Sequence, residues 1–223
     1  MASYLILGAG KFGRLALERL ARQDAAASFL VVDHDPVALA AVRAGGGAGR
    51  QWVKAEAIAF LVQHLGPDSG WDWIIPMVPV HVAYHWLMAG PLAGSDWQPA
   101  AVPEALTGLT PVSWRGPNGA LYLSRAQHLC PDDCVESEVC PVTGESRDPP
   151  LHQELASFHL AGYQIRVIPS QQLAPGVGGY PPGRLLDLAR EMGALEGNVL
   201  IATACRCHGV IHGLAHRSGG QSV

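Results

Sequence analysis

Lysine is nearly missing from this chain: Lys11 and Lys54 are its only two. Charged residues make up 15% of it, and the formal net charge is −4. A protein that holds nucleic acid through its phosphates needs a basic stripe or patch, and none is visible, so that class of partner is excluded. No stretch approaches the roughly 20 apolar residues of a membrane span. The start, MASYLILGAG, has a short apolar run with no charged segment before it, too brief for a signal peptide. These absences lead us to expect a cytoplasmic protein with neither nucleic-acid nor membrane partners.

Hydrophobic residues make up 48% of the 223-residue chain, enough to build a core without covalent staples. Disulfides are therefore not needed for folding. In a reducing cytoplasm the five cysteines, Cys130, Cys134, Cys140, Cys205 and Cys207, are better read as metal ligands than as disulfide partners.

The first half reads as a nucleotide-binding unit. The apolar strand YLIL (4–7) runs into Gly8-Ala9-Gly10-Lys11-Phe12-Gly13, and RLALERLAR then forms an amphipathic helix. This is G-x-G-x-x-G in the strand-turn-helix setting that gives it meaning. Gly8 would form the tight turn, Gly10 would let backbone approach a pyrophosphate, and Gly13 would pack helix on strand. Unsatisfied N–H groups at the helix start would face the phosphates. A second strand, FLVV, ends in Asp33, placed to accept hydrogen bonds from an adenosine ribose and to repel a 2′-phosphate. NAD(H) is favoured over NADP(H), with ADP or ATP left open.

LGAGKFGRLALERL followed by VVDHDP resembles the nucleotide-binding domain at the N-terminus of TrkA-type potassium-transport regulators, the RCK domain. The resemblance covers about residues 3–105; the cysteine-rich remainder matches no family pattern. It implies NAD(H) or adenine-nucleotide binding through Gly8, Gly10, Gly13 and Asp33, with the binding state passed to a partner.

RQWV, AEAIAFLVQHL and WDWIIPMV continue as strand, helix and strand, which predicts a parallel sheet. Pro79 and His81 lie past the last of these, at the edge where open α/β sheets bind ligands. His81 and His85 share a helical face without the glutamate of a zinc protease, so ordinary pocket-lining or surface histidines are expected.

Past residue 105 the composition shifts. TPVSWRG and ALYLSRA read as a hairpin across Pro117-Asn118-Gly119. The irregular run CPDDCVESEVCPVTGE follows, and LHQELASFHLAG reads as a helix. Strand YQIRVIP, a Gly/Pro loop over 170–183, helix RLLDLAREM and strand NVLIAT then compose a second βαβ unit. The predicted fold is an α/β protein with a Rossmann-like parallel sheet (1–105) and a cysteine-rich, metal-binding α/β region (106–223). If the second unit joined the first sheet, the fingerprint and Cys205 would share one edge.

Cys-x3-Cys-x5-Cys with a distant Cys-x-Cys-His suggests a metal centre of Cys130, Cys134 and Cys140, completed by Cys205, Cys207 or His208. The cysteine-proline pairs at 130–131 and 140–141 resemble iron–sulfur ligand runs, and Cys-x3-Cys also lies within zinc spacings. An iron–sulfur cluster is favoured over zinc. The acids of the loop are expected to be solvated. PGVGG lacks the Gly-Lys-Ser/Thr ending of a phosphate loop and should form a tight turn at a sheet edge.

Two functions compete. One is an NAD-linked oxidoreductase, in which the metal acts as Lewis acid or substrate holder because nicotinamide passes hydride while a cluster passes single electrons. The other is a nucleotide- or redox-sensing regulator acting as a homodimer or on a protein partner. No catalytic acid or base stands out.

Overall fold

The computed structural model describes residues 1–217. Strand β1 (Ser3–Leu7), helix α1 (Lys11–Gln23), β2 (Ser28–Asp33), α2 (Pro36–Arg43), β3 (Arg50–Lys54), α3 (Ala57–His64), β4 (Trp73–Pro76) and α4 (Val82–Ala89) alternate through the first part of the chain. The four strands are parallel in the order β3-β2-β1-β4. Apolar residues on both faces of the strands make this a sheet that must be covered on both sides. Helix α1 covers one face with Ala16, Leu17 and Leu20. Helices α3 and α4 cover the other with Phe60, Leu61, Trp86 and Leu87. Asp35 starts α2, its carboxylate accepting from Val37 N at 2.8 Å, the usual remedy for an unsatisfied helix-start donor.

Strand β5 (Trp97–Ala100) leads to β6 (Val112–Arg115) and β7 (Leu121–Ser124), an antiparallel pair whose turn holds Asn118 at φ 59°. After the cysteine loop come α5 (Leu151–Ser157), β8 (Tyr163–Pro169), β9 (Gln171–Ala174), β10 (Val177–Gly179), α6 (Gly183–Met192), β11 (Asn198–Ala204) and β12 (His208–His216). The second βαβ unit is present, since β8 and β11 are parallel in register. It does not join the first sheet. It builds a separate sheet, β6-β7-β12-β11-β8, in which β5 takes the remaining edge of β12 along residues 213–216. The sequence reading overlooked β12, whose histidines and glycines mask its alternation.

The segment read as a Gly/Pro loop contains the β9–β10 hairpin, turning at Pro175-Gly176. An antiparallel bridge from Ile74 to Tyr180 lays this hairpin along the free edge of β4. The approach is close: a Cβ on Gly179 would lie 2.6 Å from Ile75 Cδ1 and 2.8 Å from Ile74 O.

The two sheets share a core. Leu5, Leu7, Val32, Trp86 and Leu87 pack in one cluster with Leu185, Leu188, Val199, Ile201 and Leu214. The alternate residues of β11, Leu200, Ala202 and Ala204, face the opposite side with Leu151 and Leu155, the period of two that a strand buried on both faces requires. No helix among the described residues is long and apolar enough to cross a membrane.

Candidate functional site

The glycine fingerprint forms the turn its spacing predicts. Gly8 sits at φ +105°, where a side chain would also run into Met77 O at 2.6 Å. A Cβ on Gly13 would fall 1.9 Å from Gly8 O, so helix and strand touch there. Above Gly10 nothing lies within 4 Å of that position, leaving the helix start open to a ligand. Asp33 folds back over the turn: Oδ2 accepts from Ala9 N at 2.6 Å and Oδ1 from Asp35 N at 2.8 Å. Each oxygen keeps a further lone pair for a hydroxyl donor. Lys11 is exposed and pairs with Asp132 of the cysteine loop at 2.6 Å. Pro79 is exposed near this edge.

His81 turns the other way. Only 3% exposed, it faces His212 (Nδ1 to Nδ1, 3.0 Å) and Thr203 Oγ1 (3.0 Å from Nε2) at the junction of the two sheets. The expectation of a surface or pocket histidine fails at this residue because β12, absent from the sequence reading, covers it.

All five cysteines line one cavity of about 750 Å³, and Phe12, Pro76 and Met77 of the N-terminal half share its wall. Separate sheets therefore still bring the fingerprint edge and the cysteines to one place. The hairpin does the joining. Arg19 of α1 donates to Asp132 O and to Pro175 O, both at 2.7 Å. Gly176 N and Gln172 Nε2 both donate to Cys134 O, at 2.9 and 2.8 Å.

Two of the sulfurs sit at the heads of turns. Cys140 opens a turn in which Gly144 N donates to Cys140 O and Cys140 N donates to Glu145 O, both at 2.8 Å. Cys205 Sγ accepts from Cys207 N and His208 N, each at 3.4 Å. Donors two and three residues ahead of a sulfur stabilise a thiolate. At Cys140 the Thr143 donors, joined by Arg147, push the thiol down to about 6. At Cys205 burial dominates, and together with the nearby Glu136 it pushes the thiol up to about 12. Asp132, Asp133, Glu138 and Glu145 are exposed, as expected of a solvated acidic loop, Asp132 being in a surface pair with Lys11; Glu136 alone is half-buried.

His208 lies between two thiols, with Nε2 3.8 Å from Cys130 Sγ and Nδ1 3.9 Å from Cys205 Sγ. His128 Nε2 is 4.0 Å from Cys130 Sγ. Among the described residues, no group of three or more His, Cys, Asp or Glu side chains is gathered closely enough to hold a metal ion. The expected metal-binding half is a cysteine-lined cavity whose five sulfurs, Cys130, Cys134, Cys140, Cys205 and Cys207, stand around the space without meeting at a point. Arg147, His128 and Thr143 escaped the sequence reading, because an arginine, a histidine and a threonine in an irregular loop carry no periodicity.

The family described as "Uncharacterized protein, C-terminal domain" (AF_1314_C) matches residues 81–217, more than half of the chain. A protein of Archaeoglobus fulgidus, described as an uncharacterized protein, is 30% identical over 223 residues, covering 94% of this chain and 98% of that protein. By both matches the chain belongs to the AF_1314_C family.

Proposed function

We propose that the chain is an NAD(H)-binding redox protein with a cysteine-ligated iron–sulfur centre beside the nucleotide edge. The observation that carries the reading is the shared cavity, in which five cysteines face Phe12, Pro76 and Met77 across one space. The donor chemistry fits, since soft thiolates select iron–sulfur clusters, zinc or copper(I). A single zinc ion needs sulfurs about 2.3 Å from one point, whereas a cluster is held by thiolates spread around it, which favours the cluster for five cysteines that line one cavity. Cys130, Cys134, Cys140 and Cys205 would hold it, the Cys205 sulfur already being oriented by the N–H groups of Cys207 and His208. A bound cluster supplies one-electron transfer or a Lewis-acid iron.

The protein's own part is positional. The open helix start at Gly10 offers N–H groups to a pyrophosphate, and Asp33, fixed over the turn, offers its remaining lone pairs to the ribose. The resemblance of residues 3–105 to TrkA-type domains agrees with this assignment. The Lys11–Asp132 pair favours a second reading, a nucleotide and redox sensor. It ties the fingerprint directly to the cysteine loop, so a phosphate attracting Lys11 would act on the loop without any chemistry.

Purification without air, followed by absorption spectroscopy and analysis for iron, sulfide and zinc, tests the centre. Calorimetric titration with NADH and NADPH tests the nucleotide. Iron with sulfide and a preference for NADH support the proposal. A protein free of metal, or one preferring NADPH, would sink the corresponding half.

A further inference from the structure

Arg147 is 5% exposed, and its guanidinium lies in the cavity wall among the thiols. Arg115, Arg125, Arg166, Arg190 and Arg206 each pair with a carboxylate. Among the described residues Arg147 has no such partner within the 4.0 Å of an ion pair. Its Nη1 donates to Val135 O at 2.9 Å, and Nη2 reaches Cys134 Sγ at 3.6 Å. Cys140 lines the same cavity wall, close enough for the guanidinium to favour its thiolate. The loop is built to hold it there: its N–H donates to Glu138 O at 2.7 Å, and its carbonyl accepts from Arg125 Nη1 at 2.8 Å.

A buried cation whose neighbours are a carbonyl and neutral thiols is costly, because those partners carry no charge to offset its own. The cost disappears when those sulfurs carry negative charge. An oxidised four-iron cluster held by four thiolates has a net negative charge, and it forms from two ferrous and two ferric ions, four sulfides and four uncharged thiols with release of the thiol protons.

We infer that Arg147 is the counter-charge of a metal–thiolate centre in this cavity and a positioning residue for Cys134 and Cys140. This rests on the proposed centre and deepens it. A guanidinium offers forked donors to two sulfurs together with a charge that persists at any ordinary pH. It offsets the anionic product of metal binding and favours the more negative, reduced state of a cluster. A bare structural strut would supply neither effect.

The test compares wild type with Arg147→Lys and Arg147→Met, purified without air and reconstituted with ferrous and ferric iron and sulfide or with zinc. Metal affinity is read by chelator competition, reduction potential by optical titration, and folding by circular dichroism. Arg147→Met should bind metal roughly 10- to 100-fold more weakly, the range found when a hydrogen-bond partner of a ligand is removed. Any cluster it retains should have a lower potential than wild type. Arg147→Lys keeps the charge and should recover most of both.

Wild-type affinity and potential in Arg147→Met would overturn the inference while leaving the proposed centre standing. Should Arg147→Met fail to fold, Arg147→Lys decides: metal kept at near wild-type potential supports the charge role, and metal lost overturns it. Wild-type protein that takes up neither iron nor zinc would end both the proposed centre and this inference.

Discussion

His81 and His212 face each other across the junction of the two sheets, Nδ1 to Nδ1 at 3.0 Å, each 3% exposed. One of these nitrogens must carry the proton that the other accepts, so the pair is compatible with two neutral rings and resists a second charge. His85 and Tyr84 lie on the same side from α4, and Thr203 faces His81 from β11. Among the described residues no carboxylate is in hydrogen-bond contact with either ring to favour protonation. Burial, then neighbouring histidine charge, pushes His81 well down; burial, then His85, pushes His212 down to about 4.

Both folded-state values lie below the unfolded value near 6.5. Unfolded chains therefore bind protons that the folded protein cannot, and stability falls as pH drops from about 6.5 toward about 4. Urea melts from pH 7.5 to 4.5 should show the midpoint declining through this window. His212→Phe should flatten the decline. An unchanged slope in that variant would remove the pair as its cause.

The glycines of the fingerprint should separate binding from folding. Gly10→Ala meets open space, so its melting temperature should stay close to wild type while NADH affinity falls at least about tenfold, the methyl taking the place of a pyrophosphate oxygen. Gly13→Ala puts a methyl against Gly8 O at 1.9 Å and should cost about 1–3 kcal/mol, as overpacking does. Calorimetry and thermal melts on the two variants check this. Retained NADH binding in Gly10→Ala would count against the nucleotide assignment.

Cys140 should be the reactive thiol of the reduced, metal-free protein. Its thiolate is populated above about 6 and protonates as pH falls through that value. Iodoacetamide labelling followed by peptide mass spectrometry should show Cys140 modified ahead of Cys205 at pH 7, with its rate falling between pH 7 and 5. Cys140→Ser and Cys205→Ser should each lose the proposed metal centre. Full metal in either variant would strike that residue from the ligand set.

The first sheet was legible because its signals are local. Strand, glycine turn, helix and a strand ending in Asp33 follow one another, and each announces itself by period or by a required glycine. The candidate site was legible only as composition. Cys130, Cys134 and Cys140 stand out in sequence, yet what gives them a setting comes from far away: Gln172 and Gly176 on the hairpin, Arg19 on α1, and the turn at 205–208. His81 was misplaced for the same reason. Its partner His212 lies on a strand whose glycines and histidines hide the alternation, so nothing near residue 81 could show that it would be buried.

The joint between the halves provides the last prediction. Gly176 sits at φ +67°, and a Cβ there would lie 1.8 Å from Asp132 O and 2.9 Å from Arg19 Nη1. Gly176→Ala thus meets two obstacles: left-handed backbone, costing about 1–2 kcal/mol for a residue with a side chain, and a clash that backbone cannot easily relieve. The loop should lift from the hairpin, losing the bonds from Gly176 N and Gln172 to Cys134 O. Lys11→Ala removes an exposed ion pair in the same region and should cost less than about 1 kcal/mol. Thermal melts should rank the two in that order. Labelling of Cys130 and Cys134 should rise several-fold in Gly176→Ala and little in Lys11→Ala. Equal labelling in both variants would mean that the hairpin is not what holds the cysteine loop against the N-terminal half.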